Sequence, residues 1–297
     1  MGLSGFVSSQ AREEYFAVYE RAFAALPRAA AHFDVETAFG TARVYRFGEP
    51  GPSPMVLLHG RAGATVMWEP NLAAFAERGG PVYSIDIIGE AGRSVQTAPI
   101  RNARDQAAWL STVLEELELS GAHLVGYSFG GWLAANFAVH EQSRLASLTL
   151  IEPVQTFAPF TVGLVTRSAL AALPVVRRWG RPSFIEWISD GAEVDADDPV
   201  ASVIEEGMRT FRIGLPTPRV FRDEQLRSIR VPTLVLVGGR SVMHDARKSF
   251  ERARRLLPDA QCELWPSATH AIAGESATEV NERVLEFVSS VEQRVQQ

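Results

Sequence analysis

The sequence has 297 residues and a single cysteine, Cys262. One cysteine excludes an internal disulfide and any metal site built from several thiolates. Cys262 lies in a predicted strand, where it reads as a small buried hydrophobe. No cluster of His, Cys and Asp has metal-ligand spacing, and no dinucleotide fingerprint follows any predicted strand. No metal and no cofactor is therefore expected. The segment 89–94 contains two glycines but lacks the lysine and the glycine spacing of a phosphate loop. No apolar run approaches the ~20 residues of a membrane span. The first residues, MGLSGFVSSQAREE, have no apolar core of signal-peptide length, and Phe6 stands where a myristoylation signal requires Ser or Thr. A net charge of −6 with interspersed signs leaves no basic face for nucleic acid or an anionic membrane. The expectation is a cytoplasmic protein with neither nucleic-acid nor membrane partners. Internal repeats and low-complexity segments are also absent.

What is present is apolar and periodic. With 46% hydrophobic and 22% charged residues, the chain suits one large core with room for an insertion. Residues of about 9–26 place Tyr15, Phe16, Tyr19, Phe23 and Leu26 at three- and four-residue steps, which predicts an amphipathic helix docked on the main body. A β-hairpin follows over 33–46, turning at Phe39-Gly40. Then come short uninterrupted apolar runs, Met55-Val56-Leu57-Leu58, Val82-Tyr83-Ser84-Ile85, His123-Leu124-Val125 and Leu148-Thr149-Leu150-Ile151. They alternate with helices of about 68–78 and 105–117, and with the helix that follows Gly130. Thr233-Leu234-Val235-Leu236-Val237 resumes the rhythm, followed by a helix of about 246–257, a strand over 261–265, and a last helix opened by the capping box Ser276-x-x-Glu279. That helix is expected to bury Val280, Val284, Leu285, Val288 and Val291. Runs of this kind are strands buried on both faces, so the fold class is α/β, with a mostly parallel, doubly covered sheet.

The stretch 154–229 leaves this rhythm. It holds Phe157, Phe160, Leu164, Trp179, Phe184, Trp187, Ile188 and Phe211, together with an acidic patch near Glu193 and Asp198. It reads as a helical insertion with a core of its own, between core segments 1–153 and 230–297.

The chemical signal is Gly126-Tyr127-Ser128-Phe129-Gly130, between an apolar strand and a helix. The pattern G-x-S-x-G in this context is a nucleophile elbow. A serine on a sharp, strained turn needs small neighbours two places to either side, because larger ones clash with the adjoining strand or helix.

The ordered set of motifs resembles the α/β-hydrolase fold family over nearly the whole chain, and within it the esterase-like enzymes with a helical lid. His59-Gly60 ends one strand, Asp86 with Gly89, Gly92 and Ser94 follows the next, Ser128 follows a third, and His270 lies after the last. The resemblance implies that Ser128 is the nucleophile and His270 its base, with 154–229 as the lid. It implies an oxyanion hole formed by the backbone N–H groups of Phe129 and Arg61, with His59 shaping the adjoining loop. Asp86 precedes the nucleophile and reads as a loop-fixing residue. His244 reads as surface or as a neighbour of the acid, and His32, His123 and His140 have no partner motif.

The sequence departs from the family at the acid, where Ser241 occupies the usual carboxylate position. Glu152, at the end of the strand after the nucleophile strand, is the preferred substitute. Asp245, which can equally serve as a helix N-cap, and the absence of any charged acid are the alternatives. The implied activity is cleavage of a carboxylic ester or related acyl bond through an acyl-enzyme, on a small-molecule substrate with a hydrophobic portion. The same residues serve a lactonase, thioesterase, amidase, acyltransferase or C–C bond hydrolase. Ser241 also admits a ligand-binding or non-hydrolytic protein on a hydrolase scaffold.

Overall fold

The apolar runs form the centre of the molecule because each is covered on two sides. The computed structural model describes residues 2–171 and 198–295. Strands β4 (Met55–Leu58), β5 (Val82–Ile85), β7 (Ala122–Tyr127), β8 (Leu145–Ile151) and β10 (Thr233–Gly238) pair in parallel, with β11 (Ala260–Trp265) at one edge. At the other edge the hairpin β2 (Ala31–Thr37) and β3 (Gly40–Phe47) runs antiparallel to β5. The order across the sheet is β11-β10-β8-β7-β4-β5-β3-β2, with the short strand β6 (Val95–Gln96) paired to β3. Gly40 takes φ 133° at the hairpin turn, where a Cβ would lie 2.0 Å from the Val95 carbonyl oxygen.

Period-two alternation divides the runs between two cores. Val56, Leu58, Leu124, Val235 and Val237 point to one face, against helices α3 (Ala103–Glu116), α4 (Phe129–Glu141) and α8 (Ala246–Leu256). Met55, Leu57, Val125, Leu234 and Leu236 point to the other. There they meet α1 (Ser9–Phe23), α2 (Glu69–Glu77) and α10 (Ala277–Val295), the last preceded by the single turn α9 (Ile272–Glu275). Burial of each large apolar side chain contributes roughly 1.5–3 kcal/mol.

The ends of the helices follow local chemistry. Helix α1 is capped by the Ser8 hydroxyl, which accepts from Ala11 N–H at 3.0 Å. It stops at Phe23, short of the expected residue 26, because Leu26 precedes Pro27 and a residue before proline disfavours the helical conformation. Tyr15 and Tyr19 are fully buried as expected. Helix α2 begins after a 3-10 turn, Thr65–Trp68, with Pro70 in its first turn, where proline's missing N–H costs nothing. In α10 the buried stripe is Val280, Val284, Phe287, Val288 and Val291, and Leu285 is only half-buried. Cys262 is likewise half-buried, with burial pushing its thiol up to about 11, so it is protonated and unreactive near neutrality.

Between β8 and β10 the described residues form α5 (Val162–Ala171), α6 (Pro199–Thr210), β9 (Phe211–Arg212) and α7 (Asp223–Ser228). Strand β9 pairs with β1 (Gly5–Phe6), and Phe6 meets Phe211 edge-on at 5.0 Å. The expected separate core does not form from the described part of this segment. Phe157, Phe221, Leu226 and Ile229 join the core on the α3 and α4 face. Arg252 of α8 ties them there, donating to the carbonyls of Phe157 (2.9 Å) and Phe221 (2.6 Å) and pairing with Asp223 (2.8 Å). Trp179, Phe184, Trp187, Ile188 and the acidic residues near Glu193 lie outside the described residues.

Asp245 caps α8. Its carboxylate accepts from Lys248 N–H at 3.0 Å and pairs with the Lys248 ammonium at 3.1 Å, which holds its pKa below the ordinary carboxylate range. Asp245→Ala should therefore cost about 1 kcal/mol, lowering the thermal midpoint by roughly 2–4 °C. Because the folded-state pKa is depressed, that difference should be present above the unfolded-state value and shrink as pH falls through the folded one. Calorimetry of the two proteins at pH 7 and pH 3 measures both effects.

Candidate active site

Ser128 occupies the N-cap position of α4 directly after β7, with φ 55° and ψ −114°. A side-chain-bearing residue in that region costs roughly 1–3 kcal/mol and persists only where its surroundings dictate it. Here they do: Ser128 N–H donates to the Ile151 carbonyl at 3.0 Å, and the Ser128 carbonyl accepts from Trp132 N–H at 3.1 Å. The flanking glycines are required by close approach. A Cβ on Gly126 would lie 2.2 Å from the Gly130 carbonyl oxygen, and one on Gly130 would lie 2.0 Å from that of Leu58.

Glu152 directly follows β8, the neighbour of β7. Its N–H donates to the Leu236 carbonyl of β10 at 2.8 Å. One carboxylate oxygen, Oε1, accepts the Gly238 N–H at 2.7 Å. The other, Oε2, accepts the Ser241 hydroxyl at 2.6 Å and faces His270 Nδ1 at 2.9 Å. His270 Nε2 lies 3.0 Å from Ser128 Oγ. The structure thus brings Ser128, His270 and Glu152 into one hydrogen-bonded line. Tyr127 supports it, donating its hydroxyl to the His270 carbonyl at 2.7 Å, with its ring stacked 5.6 Å from the imidazole. Asp245 is not part of this line, since its carboxylate is engaged on α8 as described.

Glu152 is fully buried. Burial pushes its pKa up, but the nearby imidazoles of His244 and His270 and the donors on its oxygens outweigh that, and the carboxyl is held below its ordinary range. His244 is buried, not at the surface. Its Nε2 lies 3.6 Å from Glu152 Oε1, and neither ring nitrogen has a hydrogen-bond partner among the described residues. Burial pushes its pKa down against the pull of Glu152.

The loop after β4 faces Ser128. His59 is fully buried, its Nδ1 lies 2.6 Å from the Gly60 carbonyl, and its Nε2 accepts Ile87 N–H at 3.0 Å. That pairing requires a neutral ring protonated on Nδ1, in keeping with burial lowering its pKa. Asp86 fixes the loops as the sequence suggested, accepting N–H groups from Thr65 (2.8 Å) and Arg93 (2.7 Å). The backbone N–H groups of Arg61 and Phe129 donate to no acceptor among the described residues. Phe129 is the first residue of α4, where N–H groups have no intrahelical partner. The Arg61 side chain is not idle: its guanidinium lies 4.1 Å over the Phe129 ring and pairs with buried Glu90.

Ser128 and His270 open into a cavity of about 730 Å³. Its walls include Phe160, Leu164, Ile204, Met208 and Met243. Among the described residues, no group of three or more His, Cys, Asp or Glu could hold a metal ion, and no helix is long and apolar enough to cross a membrane.

Ser241, Tyr127 and Glu90 are participants that sequence reasoning did not assign. The serine at the expected acid position was visible as a departure. No local pattern marks the other two.

Residues 55–283 match the alpha/beta hydrolase family. The chain is 31% identical over 282 residues to a Bacillus subtilis (strain 168) protein described as an uncharacterized carboxylesterase, nap, covering 93% of this chain and 92% of that one. It is 30% identical over 290 residues to carboxylesterase YbfK of the same organism, covering 95% and 96%. The crystal structure of naproxen esterase (carboxylesterase NP) from Bacillus subtilis is similar with a TM-score of 0.85 at 30% identity, over 94% of this chain and 99% of that one. By sequence and by structure, this chain belongs to the alpha/beta hydrolase family.

Proposed function

We propose that the protein hydrolyses carboxylic esters through an acyl-enzyme on Ser128. The observation that carries the reading is the line from Ser128 Oγ through His270 to Glu152, with hydrogen-bond distances of 3.0 and 2.9 Å. The carboxylesterase relatives support the reaction class.

In this reading His270 Nε2 takes the hydroxyl proton as Ser128 Oγ attacks the ester carbonyl carbon. Glu152 holds the Nδ1–H and offsets the positive charge that forms on the ring. The carbonyl electron pair moves onto oxygen, where the N–H groups of Arg61 and Phe129 donate to it. The tetrahedral species collapses, His270 gives its proton to the departing alkoxide, and water repeats the sequence on the acyl-enzyme. The Ser241 hydroxyl on Glu152 Oε2 supports Glu152 as the acid, since the family's usual acid position here supplies a donor. The stretch 154–229 acts as the lid. Phe160 and Leu164 near its start and Ile204 and Met208 on α6 supply cavity wall, which favours a substrate with a hydrophobic acyl or ring portion.

Three outcomes test the reading. Ser128→Ala should lose about 10⁶ in kcat toward p-nitrophenyl esters with its thermal midpoint little changed, and should not be labelled by a fluorophosphonate. Glu152→Gln should lose roughly 10³–10⁴ in kcat, and adding Ser241→Asp should return part of it. Near wild-type turnover in Glu152→Gln would remove Glu152 from the mechanism. Across a p-nitrophenyl series, KM should fall as the acyl chain lengthens from acetyl to hexanoyl, by up to about threefold to fourfold per buried methylene. A KM that does not respond to chain length would mean that the apolar cavity does not receive the acyl group.

A further inference from the structure

Glu90 is a fully buried carboxylate in the loop after β5 to which the proposed reaction assigns no role. A buried carboxylate is costly unless cations and donors surround it. Its partners come from two consecutive residues of the loop that faces Ser128. Oε1 accepts from the Arg61 guanidinium at 2.5 Å, and Oε2 accepts Ala62 N–H at 3.2 Å.

That loop needs holding. Ala62 and Ala64 take φ 57° and 49°, unfavourable for a residue with a Cβ. Both peptide units flanking the Arg61 Cα are fixed. The Gly60 carbonyl sits 2.6 Å from His59 Nδ1, and the N–H of a trans peptide points opposite to its carbonyl. The next unit is held through Ala62 N–H by Glu90. Helix α6 closes the loop from the cavity side, where a Cβ on Gly207 would lie 3.2 Å from both the Ala62 Cβ and the Ala62 carbonyl oxygen. The Arg61 guanidinium, anchored on Glu90, also spans to the ring of Phe129, the residue that carries the other proposed N–H donor. One carboxylate therefore ties together the two residues whose N–H groups would receive the oxyanion.

We propose that Glu90 is a positioning residue for the oxyanion hole, fixing Arg61 through the salt bridge and the Ala62 N–H so that the Arg61 and Phe129 N–H groups converge. The proposal rests on the ester-hydrolysis reading. It requires that loss of the carboxylate weaken binding of the transition state and leave binding of the ground-state ester unchanged.

The test compares wild type, Glu90→Gln, Arg61→Ala and the double variant on a p-nitrophenyl ester, and with two inhibitors of equal chain length, an alkyl trifluoromethyl ketone and the matching methyl ketone. Ser128 Oγ adds to the trifluoromethyl ketone carbonyl, its proton passing to His270 and the carbonyl pair to oxygen, so that this adduct engages the oxyanion donors. The unreacted methyl ketone does not develop that charge. Glu90→Gln should lower kcat by roughly 10–10²-fold, with KM within about twofold of wild type. Its inhibition constant for the trifluoromethyl ketone should rise by about the same factor, and that for the methyl ketone should stay put. Arg61→Ala, which keeps the backbone N–H, should show the same selective loss. The double variant should be about as impaired as the worse single one, because the two act as a unit.

A folded Glu90→Gln with wild-type kcat, a loss confined to KM, or fully additive losses in the double variant would each overturn the proposal. If Glu90→Gln does not fold, Arg61→Ala alone decides, and wild-type kcat there overturns it. Wild-type protein inert to ester, trifluoromethyl ketone and fluorophosphonate would overturn the hydrolase reading and this proposal together. An active wild type matched by Glu90→Gln overturns this proposal alone.

Discussion

The candidate site hangs on the shared register of three parallel strands. Ile151 of β8 is paired with Tyr127 of β7 on one side and with Leu236 of β10 on the other. The next residue along two of these strands is Ser128 and Glu152, and their N–H groups donate to the carbonyls of Ile151 and Leu236. Serine and carboxylate thus leave the sheet at the same level, one strand apart, and β10 supplies the Gly238 N–H that seats the carboxylate. Parallel pairing puts every carboxyl end on one edge, so His270, in the loop after β11, reaches the same edge. A slip of one residue in β8 would reverse the facing of its side chains and carry Glu152 away from the imidazole.

Buried charge is the second constraint. Asp86, Glu90 and Glu152 are all fully buried. Each accepts at least one backbone N–H, from Thr65 and Arg93, from Ala62, and from Gly238 respectively. Desolvation on that scale is offset only by several well-aligned donors, so each carboxylate also fixes the loop that supplies them. Asp86 and Glu90 fix the loop facing Ser128, and Glu152 fixes the turn after β10. His244 is buried beside the same carboxylate, its Nε2 3.6 Å from Glu152 Oε1.

The cavity wall is joined to this frame. Thr161 N–H donates to the Met243 carbonyl at 3.0 Å, and Phe160 bridges His244, so the start of the segment after β8 is stitched to the turn after β10. Phe160 and Met243 both line the cavity. The same turn therefore holds the acid's partners and part of the apolar wall, and a change in one is felt by the other.

Short-range information was enough for much of this. The buried strands were legible because three-to-five-residue apolar runs between turn residues have few other solutions. The elbow was legible because Gly126, Ser128 and Gly130 satisfy a local steric demand. The order of Ser128 and His270, set against the pattern of the alpha/beta hydrolase family, was enough to nominate both. Helix ends were less legible where a nearby proline decided them, as at Pro27. What the sequence could not decide was which carboxylate faces His270. Glu152 and Asp245 are equally acidic in one dimension, and only the β8–β10 register separates a residue aimed at the imidazole from one capping a helix. Nor could it show that Ser241 donates to Glu152, that His244 is buried, or that Glu90 reaches Arg61 and Ala62 across 29 and 28 positions of chain. Local periodicity is written in neighbouring residues. Contacts that satisfy a buried charge are made between distant ones, and they exist only once the sheet has brought its loops to a common edge.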